Sequence, residues 1–194
     1  MNHCFVTVCD EKYSPGVFFL ISSARYNNVN NPFKVYGIKL SDRSIEILEQ
    51  FTNVEVFNHT ETSNLPPTLL KVEALKLGIN DPSIEYMTWL DADCLICGNI
   101  SKYIEEKSSV FRIRMRAPLE NQLRFKKKYQ NESCSGIPKE IVSEWSDHLN
   151  KQSEELKMNT TCATNFMTVS RDQFSIINLW KEQIYKIQSL YLKG

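Results

Sequence analysis

The sequence has no excess of charge of either sign: 23 Lys and Arg residues offset 23 Asp and Glu, for a formal net charge of zero. That balance gives no footing for attraction to nucleic acid or to an anionic membrane surface, so no nucleic-acid partner is expected. No apolar run approaches the ~20 residues that cross a bilayer, so no transmembrane segment is expected. Met1-Asn2-His3 runs straight into Cys4-Phe5-Val6-Thr7-Val8-Cys9 without a basic start, which predicts no secretory leader. Residues 10–16 hold a single glycine, Gly16, so the Gly-rich phosphate loop of a nucleotidyltransferase is missing from this end. The six cysteines stand at 4, 9, 94, 97, 134 and 162. Cys94-Leu95-Ile96-Cys97 has no second pair at zinc spacing, which leaves a structural zinc site half its ligands. Cys4 and Cys9 fall in or beside an apolar stretch, where thiols act as small hydrophobes. This usage suits a reducing compartment, and a cytoplasmic location is expected. Four Asn-x-Ser/Thr sequons, beginning at Asn58, Asn99, Asn131 and Asn159, are expected by chance in so Asn-rich a chain.

What is present is ordinary for a globular protein: 42% hydrophobic and 24% charged residues in a chain of 194. A single domain over residues 1–194 is expected. The first half alternates. Phe5 to Cys9 reads as a buried strand and Asp10-Glu11-Lys12-Tyr13 as a turn. Ser14-Pro15 opens a helix, with Ser14 as its N-cap. Phe33 to Leu40 reads as a strand, Ser41-Asp42 as a cap, and Ile45, Leu48 and Phe51 as one helical stripe. Val54 to Phe57 is a short strand, and Pro66-Pro67 starts a helix ending near Gly78. Alternation of this kind predicts an α/β fold with a mostly parallel central sheet flanked by helices.

The most informative stretch is Glu85-Tyr86-Met87-Thr88-Trp89-Leu90 followed by Asp91-Ala92-Asp93. Its composition suits a strand buried on both faces. Side chains two apart share a face, so Asp91 and Asp93 project together from the strand's end. Two adjacent carboxylates repel unless something positive joins them. A hard divalent cation with oxygen ligands does so, and Mg²⁺ completes its shell with water and substrate phosphates. The blander alternative is a pair of Asp residues ending a strand, where their side chains bond nearby backbone. In parallel sheets ligands bind beyond the carboxyl ends of strands. Asp10 and the Asp91/Asp93 pair both fall at that edge.

Past Gly98 the pattern is less regular. Ser109 to Arg116 alternates apolar residues with Arg112, Arg114 and Arg116, and Arg124 to Lys128 is basic. These form either a wall for an anion or a solvated strand face and loop. A polar helix is expected near 139–157, a strand over Phe166 to Ser170, and an amphipathic helix from Arg171 to Leu192.

At this point the chain resembles a glycosyltransferase of the GT-A fold, nearest the glycogenin-like and lipopolysaccharide galactosyltransferase-like retaining family. Phe5 to Tyr13, followed by a helix, is similar to that family's opening strand, whose Asp and Tyr hold the nucleotide base. Trp89 to Ile96 is similar to its metal-binding Asp-x-Asp after a hydrophobic strand. Lys71 to Leu77 stands where the family has a helix bearing a basic residue near the donor. Asn165 to Arg171 resembles, more weakly, a strand lining the acceptor side. The resemblance implies a UDP-sugar or similar nucleotide-sugar donor, a glycan, protein or lipid acceptor, and a Mn²⁺ or Mg²⁺ ion. It places Val8, Cys9, Asp10, Tyr13, Lys71 and Asp91 at the donor nucleotide and Asp91 and Asp93 at the metal. For Lys71 the bland alternative is a solvated helix surface.

The chain departs from this pattern in three places. Lys12 stands where relatives often carry an amide. The Asn165 block lacks the small residues usual there. The family's C-terminal His-x-x-Gly-x-x-Lys segment is absent, and His148 sits in a polar helix without those surroundings, so a chain truncated at the C-terminus is an expectation. Two other readings remain. One is a non-catalytic or incomplete module of the same fold. The other is a haloacid-dehalogenase-like phosphatase, whose Asp-x-Asp lies nearer the N-terminus and is followed by Thr or Val where this chain has Leu95.

Overall fold

The computed structural model describes residues 2–60, 70–100, 111–121, 123, 137–150, 152 and 160–191. The strands are β1 (His3–Asp10), β2 (Phe33–Ile38), β3 (Val54–His59), β4 (Tyr86–Leu90), β5 (Phe111–Met115) and β6 (Cys162–Ser170). The helices are α1 (Ser14–Tyr26), α2 (Asp42–Glu49), α3 (Lys71–Ile79), α4 (Lys139–Leu149) and α5 (Ser175–Tyr191). The strands form one sheet in the order β3-β2-β1-β4-β6-β5. β1, β2, β3 and β4 run parallel. β6 runs antiparallel beside β4, pairing Leu90 with Phe166 and Tyr86 with Ser170. The expected mostly parallel, helix-flanked sheet is present.

The chain divides into two compact units, Met1–Arg112 with Asn165–Gly194, and Ile113–Thr164. In the first, β1 is central and every residue from His3 to Cys9 is buried. Phe5 stacks on Phe33 at 4.8 Å, and the Arg25 guanidinium lies over Phe33 at 5.4 Å. Together with Val17, Leu20, Ile21 and Leu90 these form the core between the sheet and α1. A polar thread crosses the sheet within it. His3 Nε2 lies 2.7 Å from Thr88 Oγ1, and Thr88 Oγ1 lies 2.8 Å from Thr168 Oγ1. Burial pushes the His3 pKa down to about 4, so the ring is neutral there at pH 7. In the second unit, the Arg114 guanidinium pairs with Glu120 at 3.0 Å, and Arg116 donates to Thr161 Oγ1 and the Cys162 carbonyl.

Local chemistry explains the boundaries. Ser41 caps α2 as expected, accepting from the Ser44 N–H at 3.2 Å. At α1 the N-cap is Tyr13, one residue earlier than the sequence suggested. Ser14 already lies in the first turn, and its hydroxyl donates to the Glu11 carbonyl at 3.0 Å. α1 ends where Asn28 takes φ 61°, a left-handed conformation that asparagine tolerates better than most residues. α3 begins at Lys71; the expected start at Pro66-Pro67 lies outside the described residues, as do the basic cluster 124–128 and Cys134. The C-terminal helix starts at Ser175 after a short 3-10 turn over Arg171–Gln173. That turn is anchored by Arg171, which donates to the carbonyls of Ile79, Asp81 and Ile84. Among the described residues no helix is long and apolar enough to cross a membrane.

Candidate functional site

The sheet changes direction of winding between β1 and β4. From β1 the chain moves outward through β2 to β3, then returns to the other side of β1 as β4. The neighbours at this switch point separate at their carboxyl ends. β1 pairs with β4 only from His3 to Val6, whereas it stays paired with β2 as far as Asp10. Beyond Val6 the side of β1 facing β4 is therefore open. A crevice at this place is the general ligand position in open α/β sheets. Here it is a cleft of about 170 Å³ lined by Val8, Cys9, Asp10 and Tyr13 from one strand end, Trp89, Asp91 and Asp93 from the other, and Lys71 from α3. Ligand pockets usually enclose ~300–1,000 Å³, so this cleft is smaller than a typical ligand pocket.

All seven residues singled out from the sequence thus line one cleft. Their states differ. Asp91 continues the face of β4 that carries Trp89, and Oδ1 accepts from both the Trp89 indole N–H at 2.8 Å and the Lys71 ammonium at 2.7 Å. The Lys71 side chain is 9% exposed and lies 5.0 Å over the Trp89 ring. The solvated-surface reading of Lys71 is therefore wrong: the first turn of α3 buries it against the sheet. Asp93 is exposed and has no hydrogen bond or ion pair among the described residues. The Asp91 carbonyl accepts from the Cys94 N–H at 3.0 Å, and the Asp91 N–H donates to the Asn165 carbonyl at 3.2 Å, fixing the turn that separates the two carboxylates.

On the β1 side, Asp10 Oδ1 accepts from the Tyr13 N–H at 3.0 Å, which ties the carboxylate to the start of α1. Tyr13 is half exposed, with the Lys12 ammonium 5.8 Å from its ring. Cys9 is 1% exposed and burial pushes its thiol up to about 12, so the thiol is protonated at neutral pH. The neighbouring Glu11 carboxylate accepts from the Ser41 N–H and from the hydroxyls of Ser41 and Ser44, and these bonds hold its pKa down. The β1–α1 turn is thereby fastened to α2.

The sequence pattern marks Trp89 only as part of a buried strand. The period of two carried the missing signal, because Trp89 and Asp91 share a face and an indole N–H two residues before a carboxylate can reach it. Of the arginines singled out in the 109–116 stretch, Arg114 is paired with Glu120 and Arg116 with Thr161 and Cys162.

No group of three or more His, Cys, Asp or Glu residues able to hold a metal occurs among the described residues. What is present is two carboxylates, one with a single oxygen committed to Lys71 and the other exposed. That set does not cage a resident ion. It fits a cation that brings oxygen ligands with it, as Mg²⁺ does when it binds through one or two carboxylates and substrate phosphates.

Comparison with solved structures agrees with the fold. The chain superposes on the apo structure of the bifunctional glycosyltransferase WbbM with a TM-score of 0.61, at 13% identity, covering 92% of this chain and 33% of that one. It superposes on the galactosyltransferase LgtC, solved with donor and acceptor sugar analogues, with a TM-score of 0.57, at 12% identity, covering 93% and 64%. The glycosyltransferase GlyE of Streptococcus pneumoniae gives 0.56, at 9% identity, covering 100% and 40%. The chain therefore spans between a third and two thirds of the length of these neighbours. No family model and no curated protein sequence matches it. The protein has the GT-A-like fold of these glycosyltransferases.

Proposed function

We propose that this chain is a metal-dependent glycosyltransferase that takes a sugar from a nucleotide-diphosphate sugar, with UDP-sugars as the donor class, and passes it to a glycan, protein or lipid acceptor. The observation that carries the reading is the cleft at the β1/β4 switch point, where Asp10, Asp91, Asp93 and Lys71 converge. The likeness in fold to glycosyltransferases supports it.

In this reading the base lies on the β1 side. Asp10 uses its remaining acceptor capacity for a base N–H, Tyr13 offers a ring face, and the backbones of Val8 and Cys9 meet the base edge. Asp91 lies beside the ribose. Asp93 and Asp91 would hold a Mn²⁺ or Mg²⁺ ion, which would supply positive charge against the donor's diphosphate. Lys71 contributes a fixed positive charge next to Asp91. Buried against Trp89, it needs little reorganisation to act, which is the condition for effective electrostatic stabilisation.

Asp93→Ala is the cleanest test, because Asp93 is exposed and supports no neighbour. Calorimetric titration of UDP with and without Mn²⁺ is expected to show metal-dependent binding to the wild type and none to the variant, with thermal stability unchanged. UDP-sugar hydrolysis should follow the same pattern. Equal UDP affinity in wild type and variant would refute the assigned role of Asp93. Failure of folded wild type to bind UDP would instead favour a non-catalytic module of this fold.

A further inference from the structure

The segment after Asp91 lies along one stripe of α1. Gly16, Leu20, Ser23 and Asn27 recur at helical spacing and so share a face. At one end of the stripe, Gly16 comes so close to Ala92 that a Cβ built there would stand 2.6 Å from the Ala92 carbonyl oxygen and 3.3 Å from its carbon. The obstructing atoms are backbone, so no side-chain rotation relieves the contact. At the other end, both backbone polar groups of Ile96 are taken up by α1 side chains. The Ile96 N–H donates to Ser23 Oγ at 2.9 Å, and the Asn27 amide donates to the Ile96 carbonyl at 2.7 Å. Ser23 Oγ in turn donates to the Leu20 carbonyl at 2.7 Å, which fixes its hydroxyl as an acceptor for Ile96. The Ile96 side chain is buried in the core below.

These contacts do more than pack a loop. The N-cap of α1 is Tyr13, whose N–H is bonded to Asp10. The same helix that orients one wall of the cleft therefore also holds the backbone of the opposite wall, from Ala92 between the two carboxylates to Ile96 beyond them. We infer that Gly16, Ser23 and Asn27 are positioning residues that set Asp91 and Asp93 at a fixed spacing from Asp10 and Tyr13. This rests on the donor-site reading above. None of the three lines the cleft, so they act through the segment they hold.

The test measures the UDP dissociation constant in the presence of Mn²⁺, the thermal midpoint, and amide exchange over residues 92–96. It compares wild type with Gly16→Ala, Ser23→Ala/Asn27→Ala, Ser23→Thr and Phe19→Ala. Alanine favours helix over glycine, so Gly16→Ala leaves α1 intrinsically more helical and its effect reports the contact with Ala92. Because small displacements of a preorganised site are costly, Gly16→Ala and the double variant are each expected to weaken UDP about tenfold or more. Faster exchange at 92–96 is expected in the double variant. Ser23→Thr keeps the hydroxyl and should retain wild-type affinity, and Phe19→Ala, which removes an exposed ring packed edge-on against Phe18, should leave it unchanged. Lowered thermal midpoints with unchanged UDP affinity would overturn the inference, since these contacts would then be structural only. If the double variant does not fold, the affinity of Gly16→Ala decides. Wild type that fails to bind UDP would sink the donor-site reading, and this inference with it, before any variant is compared.

Discussion

The ion pair between Lys71 and Asp91 sets up the most discriminating measurement on this protein. At 2.7 Å the gross attraction is about 6 kcal/mol at an effective dielectric constant of 20. Most of that is offset by the desolvation of an ammonium whose side chain is 9% exposed. Removing one partner of a fully buried pair costs ~3–5 kcal/mol, whereas exposed pairs are worth ~0.2–1 kcal/mol. This pair is asymmetric, since the Asp91 side chain is 31% exposed. Asp91→Asn strips the carboxylate from the deeper charge, and discounting for solvent at the rim gives an expected loss of about 2–3 kcal/mol. Lys71→Met leaves Asp91 with water and the Trp89 N–H, for an expected loss of about 1 kcal/mol. The double variant removes both charges and should be destabilised by less than the sum, with a coupling of about 1–2 kcal/mol. Urea unfolding of wild type, both single variants and the double variant gives that coupling directly. Additivity within ~0.5 kcal/mol would refute the reasoning, and Asp91 would then be energetically independent of Lys71.

Two further outcomes follow from the core. His3 binds its proton with a pKa of about 4 when folded against 6.5 ordinarily, so the unfolded chain takes up the proton first as pH falls. The stability from its neutral burial is complete above pH 6.5 and is lost between 6.5 and 4, by about 3 kcal/mol. His3→Gln should flatten that part of the urea-stability profile relative to wild type, and parallel profiles would show that His3 does not titrate as described. At Gly78 a Cβ would clash with Met87 Cγ and stand 3.1 Å from Cys4 Sγ. Overpacking of about 1–3 kcal/mol outweighs a helix-propensity gain of ~1 kcal/mol, so Gly78→Ala should lower the urea midpoint slightly, and a raised midpoint would mean that Met87 repacks without strain.

What could be read from the sequence divides along a physical line. Alternating β and α periods, the apolar stretches at residues 5–9 and 86–90, and the Ser41 cap are local properties, and the structure has the elements they predict. Element ends shifted by a few residues where a non-local bond decides. Arg171 holds its turn through carbonyls of residues 79 to 84, which no local pattern announces. The cleft itself was legible only as a list of residues near strand ends. Its existence depends on β1 parting from β4 after Val6, a matter of pairing register between strands some 80 residues apart in sequence.

Lys71, placed near the donor by resemblance alone, shows why its burial and its pairing with Asp91 are not legible locally. A lysine in the first turn of a helix is solvated in most proteins, and nothing in Lys71-Val72-Glu73-Ala74 says otherwise. Its burial follows from α3 crossing β1, β2 and β4, which brings that first turn onto Trp89 and Asp91. The consequence reaches the chemistry. With Asp91 Oδ1 already committed to Lys71 and Trp89, Asp93 is the carboxylate of the pair that is unengaged before any ligand arrives. A cation entering the cleft would meet Asp93 first and share Asp91 with an ammonium. Substitution at Asp93 should therefore separate ligand binding from folding, and substitution at Asp91 should not.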